Sequence, residues 1–265
     1  MKIYIMNDIE GVSGIHHKEQ VLMDGERYSE GRKLMTREAN ICADALKEAG
    51  VDTVYYHDCH GKGSNVHWEE LSTSIDKVIM GSNGNIQNRF AECVKECDGV
   101  ILLGYHAMAG TPGAILEHTF SSKAWQNLWI NGEKSGEARM DAAILGDWGV
   151  PVIMVSGDDK LEKEVREFLP DIPVAVVKEG LSCMGGILLS PEKAKEEIRQ
   201  KTIEAVKNID KAKPYKIPAP VEMKLELVER NEVPHTYTKP YITVHDGRTY
   251  SVTGDNVVEA LYRLL

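Results

Sequence analysis

The chain has 265 residues, enough to bury a core in one large α/β domain or in a main domain with a smaller appendage. Its formal net charge of −10 disfavours a nucleic-acid partner or an anionic membrane surface. No run of about 18 apolar residues is present to span a bilayer.

The pattern in chain order opens with Met-Lys-Ile-Tyr-Ile, which enters a strand directly and carries no signal-peptide pattern. A cytoplasmic location is therefore expected. This first strand, residues 2–6, leads into Asp8-Ile9-Glu10-Gly11. Residues 30–49 read as a helix, with Leu34, Met35, Cys42, Ala45, Leu46 and Ala49 at three- and four-residue spacing and Gly50 as the stop. A second strand, residues 51–56, leads into His57-Asp58-Cys59-His60. Cys93 and Cys97, four apart, fit two packed thiols on one helix. The strand over 99–103 then ends in Gly104-Tyr105-His106.

A helix over 136–148 carries Glu137 in its first turn, followed by a strand at 151–156. Asp158 or Asp159 caps a helix to about residue 169, and 173–177 is a short strand. Ser190-Pro191-Glu192 is a cap followed by proline at the first helical position, opening a helix to about residue 208. Residues 213–220 form a stiff, proline-rich connector. Beyond it, 221–229 alternates as a half-exposed strand, and 241–245 with a helix from Asp255 completes a small lobe. The expected fold is α/β: a largely parallel sheet with helices on both faces over residues 1–190, and a smaller C-terminal α+β region at 191–265. The five cysteines (Cys42, Cys59, Cys93, Cys97, Cys183) are odd in number and include no Cys-x-x-Cys, which fits reduced thiols.

Three successive strands thus end in metal-binding side chains, at the sheet edge where open parallel sheets bind ligands. Asp8 and Glu10, two apart in an extended chain, project to one side. His60 sits where a strand meets a Gly-rich loop, with His57 and His67 as competing candidates and Asp58 placed to orient an imidazole. His106 follows an apolar run, where a polar ring needs a partner. His118 lies past the Thr111-Pro112-Gly113 turn and is either a ligand or an acid/base. Carboxylate and imidazole donors without cysteine fit a pair of catalytic Zn²⁺ ions, with Mn²⁺ or Co²⁺ as substitutes, rather than a structural zinc. No Gly-x-Gly-x-x-Gly follows the first strand, and neither a Walker A sequence nor His-Glu-x-x-His occurs. Gly180-Leu181-Ser182-Cys183-Met184-Gly185 misses a nucleophile elbow by one residue.

Asp8-Ile9-Glu10-Gly11-Val12-Ser13-Gly14, Asp58-Cys59-His60, Leu103-Gly104-Tyr105-His106-Ala107, Thr111-Pro112-Gly113, Gly136-Glu137 and Ser156-Gly157-Asp158-Asp159 together resemble the D-aminopeptidase DppA family of zinc peptidases. The resemblance runs in order over most of the chain and weakens after about Glu222. It implies zinc ligands at Asp8, Glu10, His60, His106 and Glu137, with Asp8 bridging two ions per subunit, and a catalytic histidine at His118. It also implies a homodecamer of two stacked pentameric rings.

The expected activity is a dinuclear zinc aminopeptidase. A metal-activated hydroxide would release the N-terminal residue, a D-amino acid, from short peptides or amides with a free amine. The rival readings are a metal-dependent hydrolase of a phosphoester or non-peptide amide, and a non-catalytic ring-forming binding protein with a vestigial metal site. A phosphoester site calls for more cations than the Lys62 and Arg139 that the motif loops offer. Three positions depart from the family pattern: Asn7, Cys59, and the Cys183-Met184 pair.

Overall fold

The computed structural model describes residues 1–81, 89–230, 233–237 and 239–265. Strand β1 (Lys2–Asn7) is buried along nearly its whole length, as a strand covered on both faces must be. Helix α1 (Tyr28–Glu48) lays Met35, Ala39, Cys42 and Leu46 along one buried stripe. Strands β2 (Thr53–Asp58), β3 (Lys77–Ile79) and β4 (Gly99–Leu103) follow. The helix expected around Cys93 and Cys97 is only a 3-10 turn, Glu92–Glu96. It is cut short because the Asp98 N–H must return to Lys2 O as β4 begins.

Next come β5 (Trp125–Ile130), β6 (Glu133–Ser135) and α2 (Glu137–Asp147). They are followed by β7 (Val152–Asp158), α3 (Asp159–Phe168), β8 (Val174–Ser182), β9 (Gly185–Leu188) and α4 (Pro191–Lys207). Asp158 is the cap of α3, its carboxylate accepting the N–H groups of Lys160 and Leu161. The chain ends with β10 (Val221–Leu227), β11 (Thr243–Val244), β12 (Thr249–Gly254) and α5 (Val257–Leu264).

Seven strands form the main sheet in the order β3-β2-β1-β4-β7-β8-β9, parallel except for β9. Alternation along the strands splits the core. Ile3, Ile5, Ile101 and Leu103 pack toward α1 and α4 on one face. Tyr4, Met6, Val100 and Leu102 pack toward α2, α3 and the second sheet on the other. This is the expected α/β class.

The second sheet is antiparallel, in the order β11-β12-β10-β5-β6. It is not confined to residues 191–265, because β5 and β6 join it from mid-chain while α4 covers the main sheet. No helix among the described residues is long and apolar enough to cross a membrane. All five cysteines are free thiols.

Candidate metal centre

Parallel register places Asn7 beside Asp58 on β2 and beside Leu103 on β4. The three segments that follow therefore leave the sheet edge side by side. Asp8 N–H donates to Leu103 O (2.9 Å) and Gly11 N–H to Gly104 O (2.7 Å), drawing the acidic turn against the His106 loop. That approach excludes a side chain at Gly11, whose Cβ would stand 1.8 Å from Tyr105 O. Asn7, one of the departures from the family pattern, braces the junction. Its amide donates to Asp8 O and Leu103 O, and its oxygen accepts from the Tyr56 hydroxyl.

His60 Nδ1 lies 3.0 Å from Asp8 Oδ1 and 3.2 Å from Glu10 Oε2, while Nε2 is 2.9 Å from Val21 O. A carbonyl only accepts, so Nε2 carries a hydrogen and Nδ1 is the nitrogen turned to the carboxylates. His106 has the opposite arrangement. Its Nδ1 donates to Ala107 O, and Nε2 lies 3.2 Å from Glu137 Oε1 and 3.5 Å from Asp8 Oδ2. His118 stacks on His106 with ring centroids 4.0 Å apart. Its Nδ1 donates to Leu116 O, and its Nε2 is 3.8 Å from Glu137 Oε1.

A proton or a metal cation must lie between such nitrogens and the carboxylates, since bare lone pairs would repel. Glu10 Oε2 and His106 Nε2 are buried and make no hydrogen bond, although His60 Nδ1 and Glu137 Oε1 are each 3.2 Å away. Two overlapping sets of ligand atoms, from Asp8, Glu10 and His106 and from His106, His118 and Glu137, each lie within 4.8 Å of one another. Buried nitrogen and carboxylate donors without sulfur fit a catalytic divalent centre.

The electrostatics agree. Burial opposes charge on both rings, yet Glu10 and Asp8 hold His60 well above its ordinary value, and Glu137 holds His106 up at about 10. Burial also opposes the carboxylate charges, but His60 keeps Glu10 well below the usual range and His106 keeps Glu137 down at about 2. Carboxylates that hold protons on these rings would hold a divalent ion, which releases the protons on binding.

The other candidates are committed to other partners, although His57, Asp58 and Cys59 border the cavity over the centre. His57 Nδ1 pairs with the Tyr4 hydroxyl at 2.7 Å, because β2 extends to Asp58 and keeps His57 inside the strand. His67 precedes a 3-10 turn, with its N–H donating to Thr36 on α1. Asp58 orients no ring; it accepts from Asn65 and Val66 and shapes the loop around His60. Cys59 donates to Asn7 O, and burial raises its thiol well above the ordinary range. Cys183 is exposed, and its carbonyl accepts the Leu116 N–H beside the His118 loop.

One residue at the centre escaped the sequence reading. Arg89 donates to Glu137 Oε2 (2.8 Å) and Asp141 Oδ1 (2.6 Å), and stacks over Phe120. Arg139, by contrast, donates to Tyr215 on the far side of α2. Arg89 occupies one oxygen of Glu137 and leaves Oε1 to the Phe120 N–H and the imidazoles. Burial raises Asp141 to about 6, and it also accepts from the Tyr105 hydroxyl. The signal available in the sequence was indirect: Glu137 and Asp141, one turn apart on one helix, are two acids in need of a cation.

A cavity of about 550 Å³ opens over these groups, with Val21, Leu22 and Met23 on one wall and Phe120, Ser121 and Lys123 on another.

A family model described as D-aminopeptidase matches residues 1–265. The chain belongs to the D-aminopeptidase family. A curated D-aminopeptidase from Bacillus subtilis (strain 168) is 32% identical over 253 residues, covering 94% of this chain and 89% of the relative. A solved structure, described as Zn-dependent D-aminopeptidase DppA from Bacillus subtilis, a self-compartmentalizing protease, superposes with a TM-score of 0.92 at 30% identity. The match covers 100% of this chain and 95% of that one. Membership of this peptidase family makes the chain an enzyme, and the reading as a binding ring with a vestigial site falls away.

Proposed function

We propose that this member of the D-aminopeptidase family is a dinuclear zinc enzyme that releases an N-terminal D-amino acid from short peptides or amides. Asp8 carries the reading: Oδ1 faces His60 and Oδ2 faces His106, so one carboxylate is presented to two ligand sets. In this reading Glu10 and His60 would join Asp8 at one ion, and His106 with Glu137 at the other; the tightest groupings of ligand atoms overlap at His106. The Zn-dependent relative supports zinc, and the donor set also accepts Mn²⁺ or Co²⁺. When bound, a pair of such ions makes hydroxide available near neutral pH and polarises a carbonyl oxygen.

The remaining work falls to the chain itself. His118 commits Nδ1 to Leu116 O, so Nε2 is the nitrogen that takes and returns a proton, as shuttle or oxyanion partner. Arg89 fixes Glu137 from behind. The cavity accommodates a short peptide, with Leu22, Met23 and Phe120 as apolar walls. The acidic cluster and the net charge of −10 favour a substrate bearing a free amine. The self-compartmentalizing relative supports a homo-oligomeric ring, a decamer on the family resemblance, and the free thiols fit the cytoplasm.

The test is a matched substrate set: D-Ala-D-Ala, L-Ala-L-Ala, their N-acetylated forms and a phosphate monoester. The proposal expects turnover of the D-peptide and none of the acetylated forms. Equal turnover of acetylated and free peptides contradicts aminopeptidase action, and turnover of the phosphoester alone favours the phosphoester rival. Cleavage of L-peptides alone removes only the stereochemical part.

A further inference from the structure

A polar cluster that the proposed reaction does not use lies in the core, and none of its members lines the cavity. It comprises Glu38 on α1, Ser156 and Asp158 on β7, and Lys178 on β8, all almost fully buried. Lys178 has three N–H donors, and three main-chain carbonyls of the acidic turn accept them. These are Glu10 O at 2.6 Å, Ile15 O at 2.8 Å and Val12 O at 3.0 Å. Glu38 accepts the Ser13 N–H of the same turn at 2.8 Å. Ser156 Oγ accepts the Gly104 N–H at 2.7 Å, two residues before His106. Asp158 Oδ2 accepts the Ile115 N–H at 2.9 Å, three residues before His118.

Each bond grips main chain, and three of the segments entering the candidate centre, the acidic turn, the His106 loop and the His118 loop, are each gripped at least once. No candidate ligand side chain takes part in these bonds. Burying an ammonium is costly, and a site that needed only to be filled would hold Leu or Met at no such cost. Three aligned carbonyls and the nearby carboxylates offset that cost only while the turn keeps this shape.

We infer that Lys178, with Glu38, Ser156 and Asp158, is a positioning cluster. It sets the acidic turn, the His106 loop and the His118 loop in mutual register and so tunes metal affinity. This rests on the proposed metal centre and gives the Ser156-Gly157-Asp158-Asp159 run a role.

The test measures zinc affinity of the full chain by competition with a chromophoric chelator, with near-ultraviolet circular dichroism reporting on the fold. Lys178→Met keeps the side chain's length and removes all three donors. A loss of about 10- to 100-fold in zinc affinity, with the fold retained, is expected, the range seen when groups behind metal ligands are removed. Ser156→Ala, a smaller change, should weaken zinc several-fold and keeps the proposal open to refutation if Lys178→Met does not fold. Ile198→Ala, a core truncation on α4 that removes none of these hydrogen bonds, should leave zinc affinity unchanged. Wild-type zinc affinity in a folded Lys178→Met, or in Ser156→Ala where Lys178→Met fails to fold, overturns the proposal. Equal loss in Ile198→Ala overturns it too, since the effect would then be one of stability alone. A wild-type protein that binds no zinc removes the centre itself, whereas equal binding by wild type and Lys178→Met removes only this inference.

Discussion

His118 differs from the other two histidines in what its free nitrogen faces. His60 and His106 each aim a nitrogen at two carboxylates, at 3.0 and 3.2 Å and at 3.2 and 3.5 Å, whereas His118 Nε2 has one carboxylate oxygen at 3.8 Å. Stacked on His106 and part of one ligand-atom set, it is nevertheless the ring least engaged by carboxylates, which favours the proton-transfer role. His118→Ala should therefore keep its metal, read by elemental analysis, while kcat falls about 10²–10⁴-fold, the usual worth of a general acid/base. Loss of metal together with activity would make it a ligand. At this scale the converging residues were legible because metal-binding types at successive strand ends are rarely accidental in combination. The choice of His60 over His57 was not legible from the residues alone. It depends on where β2 ends, which the tetrapeptide His57-Asp58-Cys59-His60 does not reveal. Arg89 was missed because it reaches the centre from outside every motif.

Among the elements, β1 and β2 meet through a buried pair that makes stability depend on pH. The Tyr4 hydroxyl bonds His57 Nδ1, and burial, reinforced by Arg89, pulls His57 down to about 4 from an ordinary 6.5. Between those values the unfolded chain holds the proton and the folded one does not. Lowering pH through that window therefore favours unfolding. The difference is worth at most about 3 kcal/mol. Measured by urea unfolding, wild type should lose stability relative to His57→Gln as pH falls from about 6.5 to 4, because only the wild type carries this group. An unchanged slope in the variant would place the titrating group elsewhere.

The main sheet was readable wherever apolar runs were unbroken, as in β1, β2 and β4. Strand β8 runs past the apolar stretch to Ser182 because Lys178 is buried among carbonyls, and a charged residue normally argues against an interior position. Strands β5 and β6 were missed although Asn131-Gly132, both at positive φ, is a strong hairpin signal. Trp125, Leu128, Trp129 and Ile130 are apolar without strict alternation, β6 is only three residues long, and their partner β10 lies far along the chain.

For the whole molecule, the proposed chemistry depends on an acidic centre that cations would complete. Asp8, Glu10 and Glu137 are nearly fully buried together in a chain of net charge −10. Parallel register, the close approach at Gly11 and the buried cluster around Lys178 all serve to keep them converged. Metal ions would then tie the loops of β1, β2 and β4 and the start of α2 into one unit, so that metal content and fold stability rise together. The most direct measurement of this claim is zinc stoichiometry per chain by elemental analysis after mild dialysis, for wild type and for Asp8→Ala. A carboxylate shared by two ligand sets predicts about two equivalents in the wild type and loss of both in the variant. A single tight equivalent that survives Asp8→Ala would contradict the dinuclear centre and leave Asp8 as a turn residue.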